Sequence, residues 1–302
     1  MNLTDFQQKV NAALSGITLC FNEPMAKHTS FKIGGPAAVM AFPKTVEELA
    51  KILVASAKLD IKYTIIGAGT NILAPDAGMD HLLICLKDCL EGMEKLEGER
   101  IRVFAGVTMA RAAVFAAGLG LGGLEFAHGI PGTVGGGVYM NAGAYGGEIA
   151  MVCESVDVMD AAGVVTTIPA EEMGFSYRHS RLEDEFGIVV CAVFRLSAQP
   201  EAQIREQMQT LLQKRKASQP LELPSAGSAF KRPVGGFAAA LIDQAGLKGF
   251  QIGGAAVSEK HAGFVVNLGG ATAADVQQLL AAVSDKVFDF AGIRLEPEIR
   301  IW

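Results

Sequence analysis

Two glycine-rich runs offer the first chemistry. Gly67-Ala68-Gly69-Thr70-Asn71-Ile72 follows Lys62–Ile66, whose β-branched residues read as a strand. A glycine turn after a strand can aim successive peptide N–H groups at one anion. The run is not a G-x-G-x-x-G fingerprint, because its sixth position is Ile72, and no Gly-Lys-Ser/Thr of a P-loop follows. Alone, it reads more readily as a strand-end turn with no ligand.

The second run is denser. Between Gly118 and Gly147, 12 of 30 positions are glycine. Ile130, Val134, Val138 and Met140 stand among them, so this is not a hydrophilic linker. Bare backbone can lie against a ligand, amides can face anionic groups, and apolar residues can seat a ring system. The competing reading is a tightly packed glycine-rich helix and turn. Two such runs together suit a dinucleotide-sized ligand with a diphosphate.

The composition narrows the setting. The chain has 302 residues, 35 of them glycine, against roughly 21 at ordinary usage. Half the residues are hydrophobic and 19% are charged, which excludes a disordered chain. The glycines show no collagen period. A net charge of −6 disfavours a nucleic-acid-coating surface. Five cysteines without a Cys-x-x-Cys pair favour reduced thiols, as in the cytoplasm, over a disulfide framework. The N-terminus lacks signal-peptide features, and no apolar stretch reaches the roughly 18 residues of a membrane span. The five histidines show no metal-ligand spacing, so no metal is expected.

The expected elements alternate helix and strand. A short amphipathic helix covers Leu3–Leu14, Ala37–Phe42 is a buried strand, and Thr45 caps a helix running to about Leu59. Strands follow at Leu82–Leu86 and Arg100–Ala105, then a helix at Met109–Ala117 with Gly118 as C-cap. Val152–Met159 and Val164–Ile168 form a hairpin over Asp160–Gly163, and Ile188–Leu196 is a long apolar strand. Glu201–Lys216 reads as a polar connector helix. Helices near 236–246 and 272–291, a strand at Gly263–Leu268 and a last strand, Arg294–Ile301, complete the chain. Boundaries near 87 and 199 divide it into residues 1–87, 88–198 and 199–302.

In order along the chain, five segments resemble one family. They are Gly67–Asn71, Gly129–Glu148, Ser176-Tyr177-Arg178-His179-Ser180, Gly227-Ser228-Ala229-Phe230-Lys231-Arg232-Pro233 and Leu295-Glu296-Pro297-Glu298-Ile299-Arg300. The pattern is that of the UDP-N-acetylenolpyruvoylglucosamine reductases, flavin enzymes of bacterial peptidoglycan synthesis. It spans about Thr29 to Trp302. The short path from Arg178 to Ile188 resembles the subtype lacking an extra tyrosine-bearing loop.

The resemblance implies an α+β architecture: a p-cresol methylhydroxylase-like FAD-binding fold of two subdomains, plus a C-terminal α+β substrate-binding domain. It implies bound FAD, NADPH as co-substrate, and reduction of the enolpyruvyl group of UDP-N-acetylglucosamine enolpyruvate. Gly67, Ala68, Gly69, Thr70, Asn71 and Ile72 would hold FAD. So would Ile130, Pro131, Gly132, Thr133, Val134, Gly135 and Asn141. Ser228 would be the proton donor, with Arg178 and Glu298 stabilising the intermediate. Tyr177, Arg215 and Arg232 would meet the substrate. No nucleic acid or membrane partner is expected, and a monomer is the favoured state.

Each assignment has a plainer alternative in the residues themselves. Ser228 also fits an ordinary turn serine. Arg178 also fits a surface ion pair with Glu183 or Asp184. By period two, Glu296, Glu298 and Arg300 share one face of the last strand and also fit a solvated polar face. Arg215 also fits a solvated helix end. His128 lines the flavin or merely packs. Another FAD-dependent oxidoreductase of this fold, acting on an alcohol or hydroxy acid, is the alternative activity. A third is nucleotide-sugar binding without catalysis.

Overall fold

The computed structural model describes residues 3–302. Among the described residues, seven α-helices span Leu3–Ala13 (α1), Val46–Leu59 (α2), Met109–Gly118 (α3), Val134–Tyr139 (α4), Glu201–Ser218 (α5), Ala238–Gln244 (α6) and Ala273–Ala291 (α7). The chain folds into two compact units. The first comprises residues 1–21, 39–68 and 81–214, and the second residues 22–38, 69–80 and 215–302.

A five-stranded antiparallel sheet organises the first unit. Its order is Val165–Pro169, Cys153–Met159, Ile188–Arg195, Arg100–Phe104, Met93–Lys95. The central strand is buried from Ile188 to Phe194 because it serves two cores. Ile188 and Val190 pack with α2 residues Leu49, Ile52 and Leu53. Val189, Ala192 and Phe194 pack with α3 residues Ala112, Ala113 and Ala116. A register shift skips Val190, so Val189 and Ala192 reach the same core despite opposite parity. The expected hairpin forms: Asp160 Oδ1 accepts from the Ala162 and Val164 amides, each at 2.9 Å, and Gly163 adopts φ +80°. Thr45 caps α2 as expected, its hydroxyl accepting from Glu48 N.

The second unit holds a four-stranded antiparallel sheet in the order Ser225–Ser228, Phe264–Asn267, Ala255–Val257, Gln251–Ile252. Val276, Leu279, Leu280, Val283 and Val287 recur at helical spacing along α7 and pack into the same core as the sheet residues Ala255, Val257 and Val265. Thr272 and Asp275 form a reciprocal capping box at the start of α7, and Gly292 ends it in the left-handed region. Asp76 adds a second cap: its carboxylate accepts from Ala273 N at 2.8 Å and Ala274 N at 3.2 Å.

Two expectations need correction. The last strand is not continuous from Arg294: only Arg300–Ile301 pairs, in parallel with Ile72–Leu73. Upstream the backbone spreads its bonds over different partners, Leu295 N donating to Ser284 Oγ and Glu298 N to Ala229 O. Leu295 and Ile299 are buried, while Pro297 and Ile301 are exposed. Gly118 is the last helical residue of α3 rather than its cap, and Gly120 makes the left-handed turn. The dense glycine run contains a helix, α4, the packed form that is the competing reading of that run.

Candidate active site

The first unit sets Gly67, which opens the earlier glycine run, against Thr133 of the denser one. Gly67 ends the Tyr63–Ile66 strand, and Thr133 caps α4 by accepting from Gly136 N at 3.3 Å. A Cβ on Gly67 would stand 2.8 Å from Thr133 Oγ1, so only glycine leaves room there. Among the described residues, the amides of Gly67, Ala68, Gly132 and Thr133 donate to no protein acceptor. Gly132 has φ +131°, open only to glycine. The adjoining amides are used: Val134 N donates to Val107 O at 2.8 Å and Gly135 N to Ala105 O at 3.0 Å. Val134 and Gly135 therefore anchor the turn to the sheet instead of offering donors. Glycine at 135 and 137 serves packing, since a Cβ would meet Ala105 Cβ at 2.9 Å or Met109 Sδ at 2.8 Å. Ile130 packs half-buried against the core, and Pro131 is exposed.

Arg178 lies at the tip of a tight turn in the same unit. Ser176 N donates to His179 O at 3.1 Å, and His179 N to Ser176 O at 3.2 Å. Tyr177 and Arg178 form the tip, and Arg178 has φ +57°. Its guanidinium lies 5.2 Å from the exposed Tyr177 ring and donates to Gly143 O at 3.3 Å. Asp184 pairs with His179, and Glu185 with Arg181. Asn141, expected at the cofactor, is fully buried and turns its side chain to protein. It donates to Ser176 O and accepts from Ala150 N, each at 2.9 Å.

The second unit gathers Gly69, Thr70, Asn71, Ile72, Ser228 and Glu298. Gly69 has φ +61°, and a Cβ there would meet His28 O at 2.1 Å. Ser30 Oγ donates to Ser225 O at 2.6 Å and to Gly69 O at 3.3 Å, tying this turn to the Ser228 strand. Gly227, at φ +77°, precedes the exposed Ser228. Glu298 N donates to Ala229 O at 2.9 Å, placing Glu298 beside the Ser228 strand. Asn71 Nδ2 donates to Glu298 O at 3.3 Å, and Arg300 N to Asn71 O at 2.9 Å. The neighbouring Glu296 instead pairs with Lys231 at the surface.

The remaining substrate candidates differ in setting. Arg215, in the last turn of α5, is only 8% exposed and is not a solvated helix end. Arg232 is exposed and stacks on Phe237 at 4.4 Å. His128 keeps a buried Nδ1 without a partner, and burial holds its pKa below the ordinary value. The five cysteines are free thiols. Among the described residues no cluster of metal-ligating side chains occurs, and no helix is long and apolar enough to cross a membrane.

This arrangement fits a flavin dinucleotide. A diphosphate needs convergent N–H donors and a bare backbone beside them; Gly67–Ala68 and Gly132–Thr133 supply both at touching turns. Sequence reasoning did not find Ser30, Ser180 or Asp76, whose roles depend on partners remote in the chain. Serine and aspartate at turns and caps gave the only signal.

Two family models match the chain: an FAD binding domain over residues 36–168 and the C-terminal domain of UDP-N-acetylenolpyruvoylglucosamine reductase over residues 219–302. A UDP-N-acetylenolpyruvoylglucosamine reductase of Lactococcus lactis subsp. cremoris is 46% identical over 281 residues, covering 93% of each protein. That of Latilactobacillus sakei is 44% identical over 298 residues, covering 97% of each. The crystal structure of a UDP-N-acetylenolpyruvylglucosamine reductase from Thermus caldophilus is similar at a TM-score of 0.79. It is 35% identical and covers 95% of this chain and 98% of its own. With the FAD-binding domain match, this places the fold in the α+β, p-cresol methylhydroxylase-like flavin class. The chain is an FAD-dependent oxidoreductase that belongs to the UDP-N-acetylenolpyruvoylglucosamine reductase family.

Proposed function

We propose that this chain reduces the enolpyruvyl group of UDP-N-acetylglucosamine enolpyruvate to give UDP-N-acetylmuramate, using NADPH, with Ser228 as the proton donor. FAD held by this chain's residues would supply the hydride chemistry, with NADPH as the reductant. The protein must hold the cofactor, steady the charge that develops on the substrate carboxylate, and deliver one proton.

Gly67, Ala68, Gly132 and Thr133 hold the diphosphate through the amides that no protein acceptor uses. Gly69, Thr70, Asn71, Ile72, Ile130, Pro131, Val134 and Gly135 are the other cofactor-binding residues. Arg178 holds the substrate carboxylate: a guanidinium makes two parallel contacts and stays charged as the enolate forms. Ser228 gives its hydroxyl proton to the carbanion-like carbon, an acceptor basic enough for so weak an acid. Glu298 supports the hydroxyl or the intermediate. The observation that carries this reading is the Glu298 N to Ala229 O bond, which sets Glu298 alongside the strand that exposes Ser228. Tyr177, Arg215 and Arg232 contact the nucleotide sugar. The enzyme works as a monomer in the cytoplasm, where its five thiols stay reduced.

The test is anaerobic absorption spectroscopy of the FAD-loaded protein. NADPH bleaches the flavin band, and UDP-N-acetylglucosamine enolpyruvate restores it. If this substrate fails while an alcohol- or hydroxy-acid-derived carbonyl acceptor restores the band, the reading is overturned in favour of another oxidoreductase. If no flavin band develops after adding FAD, flavin chemistry itself is overturned.

A further inference from the structure

Arg178 occupies backbone space that disfavours it. A left-handed conformation is costly for a non-glycine residue and persists only where its surroundings enforce it. Its turn is closed by the two Ser176–His179 backbone bonds, but that ladder is one residue pair long. Two wholly buried polar side chains grip it from below. Asn141 Nδ2 donates to Ser176 O at 2.9 Å, just before the tip. Ser180 Oγ donates to Tyr139 O at 2.7 Å, just after it. Both bonds run to the C-terminal end of α4 and the residues that follow it.

We propose that Asn141 and Ser180 are positioning residues that fix the Tyr177–Arg178 tip and so place the Arg178 guanidinium for the reaction. This rests on the reading of Arg178 as the group that holds the substrate carboxylate. Asn141 is locked in one orientation, because its carbonyl oxygen accepts from Ala150 N while its amide donates to Ser176 O. Its backbone has φ +42°, a conformation asparagine tolerates better than most residues. Two residues on, Gly143 O accepts from Arg178 Nη2. One short segment, Asn141–Gly143, therefore holds the base of the turn and touches the guanidinium at its tip. With both polar ends engaged and no exposure, the Asn141 amide acts on the turn and not on the cofactor.

The chemistry makes Asn141 hard to replace. Aspartate keeps the shape but sets a carboxylate oxygen against Ser176 O, leaving that carbonyl with the His179 amide alone. Ser180→Ala removes one hydroxyl and is the milder change.

The test uses the FAD-loaded full chain with Asn141→Asp and Ser180→Ala, each alone and combined with Arg178→Ala. Flavin reoxidation by UDP-N-acetylglucosamine enolpyruvate should slow on the order of tenfold to a hundredfold for Asn141→Asp and about threefold to tenfold for Ser180→Ala. Flavin content and visible spectrum should match the parent. Hydrogen exchange at the Ser176 and His179 amides should speed up. In the Arg178→Ala background neither change should slow reoxidation by more than about twofold, because the group they position is gone. If Asn141→Asp does not fold, Ser180→Ala carries the test. If the single variants reoxidise at the parent rate, or their losses persist undiminished without Arg178, the proposal is overturned while the Arg178 reading stands. If Arg178→Ala reoxidises at the parent rate, the reading of Arg178 fails first and the proposal falls with it.

Discussion

Gly67 and Thr133 leave no room for each other's side chains to grow: a Cβ on Gly67 would stand 2.8 Å from Thr133 Oγ1. The hydroxyl cannot yield freely, because it caps α4 at Gly136 N. Gly67→Val should therefore push the two turns apart where the diphosphate amides converge. The expected outcome is a folded protein whose FAD affinity drops about tenfold or more, read by fluorescence titration. Unchanged affinity would remove the diphosphate from this turn.

Asp76 caps the longest helix from outside it, through the amides of Ala273 and Ala274. Asp76→Ala should lower stability by about 1–2 kcal/mol, read as an earlier urea midpoint at unchanged slope. Thr272 and Asp275 keep the helix start capped, so the fold should survive.

Stability should fall as pH drops from 7 towards 5. Burial holds the pKa of both His261 and His128 below 6.5, so the unfolded chain binds protons that the folded chain refuses. The loss begins near the unfolded value of 6.5 and grows down to the folded values. Asp275 and Glu23 are shifted below 3.8 and 4.5, by hydrogen bonds from Thr272 and from His28 respectively, so their contributions persist through this window. Urea midpoints at pH 7 and 5.5 check this, and His261→Gln should shrink the difference.

Burial pushes the Cys85 thiol up to about 11, and Cys153 and Cys191 up to about 12. All three are buried and stay protonated. Iodoacetamide at pH 8 should leave them unlabelled in native protein and label them in urea, as mass spectrometry of the digests would show.

The chain is legible where a local rule decides. Thr45 announces its helix by capping, and Asp160–Gly163 announces its hairpin. The apolar run from Ile188 requires a strand buried on both faces. It is illegible where a distant partner decides. Asn141 reaches Ser176, 35 residues on, and Asn71 reaches Glu298, 227 residues on. Neither bond leaves a periodic trace. Alternation made Arg294–Ile301 look like one strand, but pairing needs a neighbour, and only Arg300–Ile301 has one. The dense glycine run stays divided between a ligand-hugging loop and a packed helix and turn, because the partners that decide for α4, Ala105 and Met109, lie elsewhere in the chain.

Ser228 as proton donor is the central chemical claim, and Ser228→Ala in anaerobic stopped flow tests it most directly. Flavin bleaching by NADPH should stay within about threefold of the parent rate. Recovery of the flavin band on adding UDP-N-acetylglucosamine enolpyruvate should slow on the order of 10²–10⁴-fold. Recovery at the parent rate, or an equal loss in both half-reactions, would contradict the assignment.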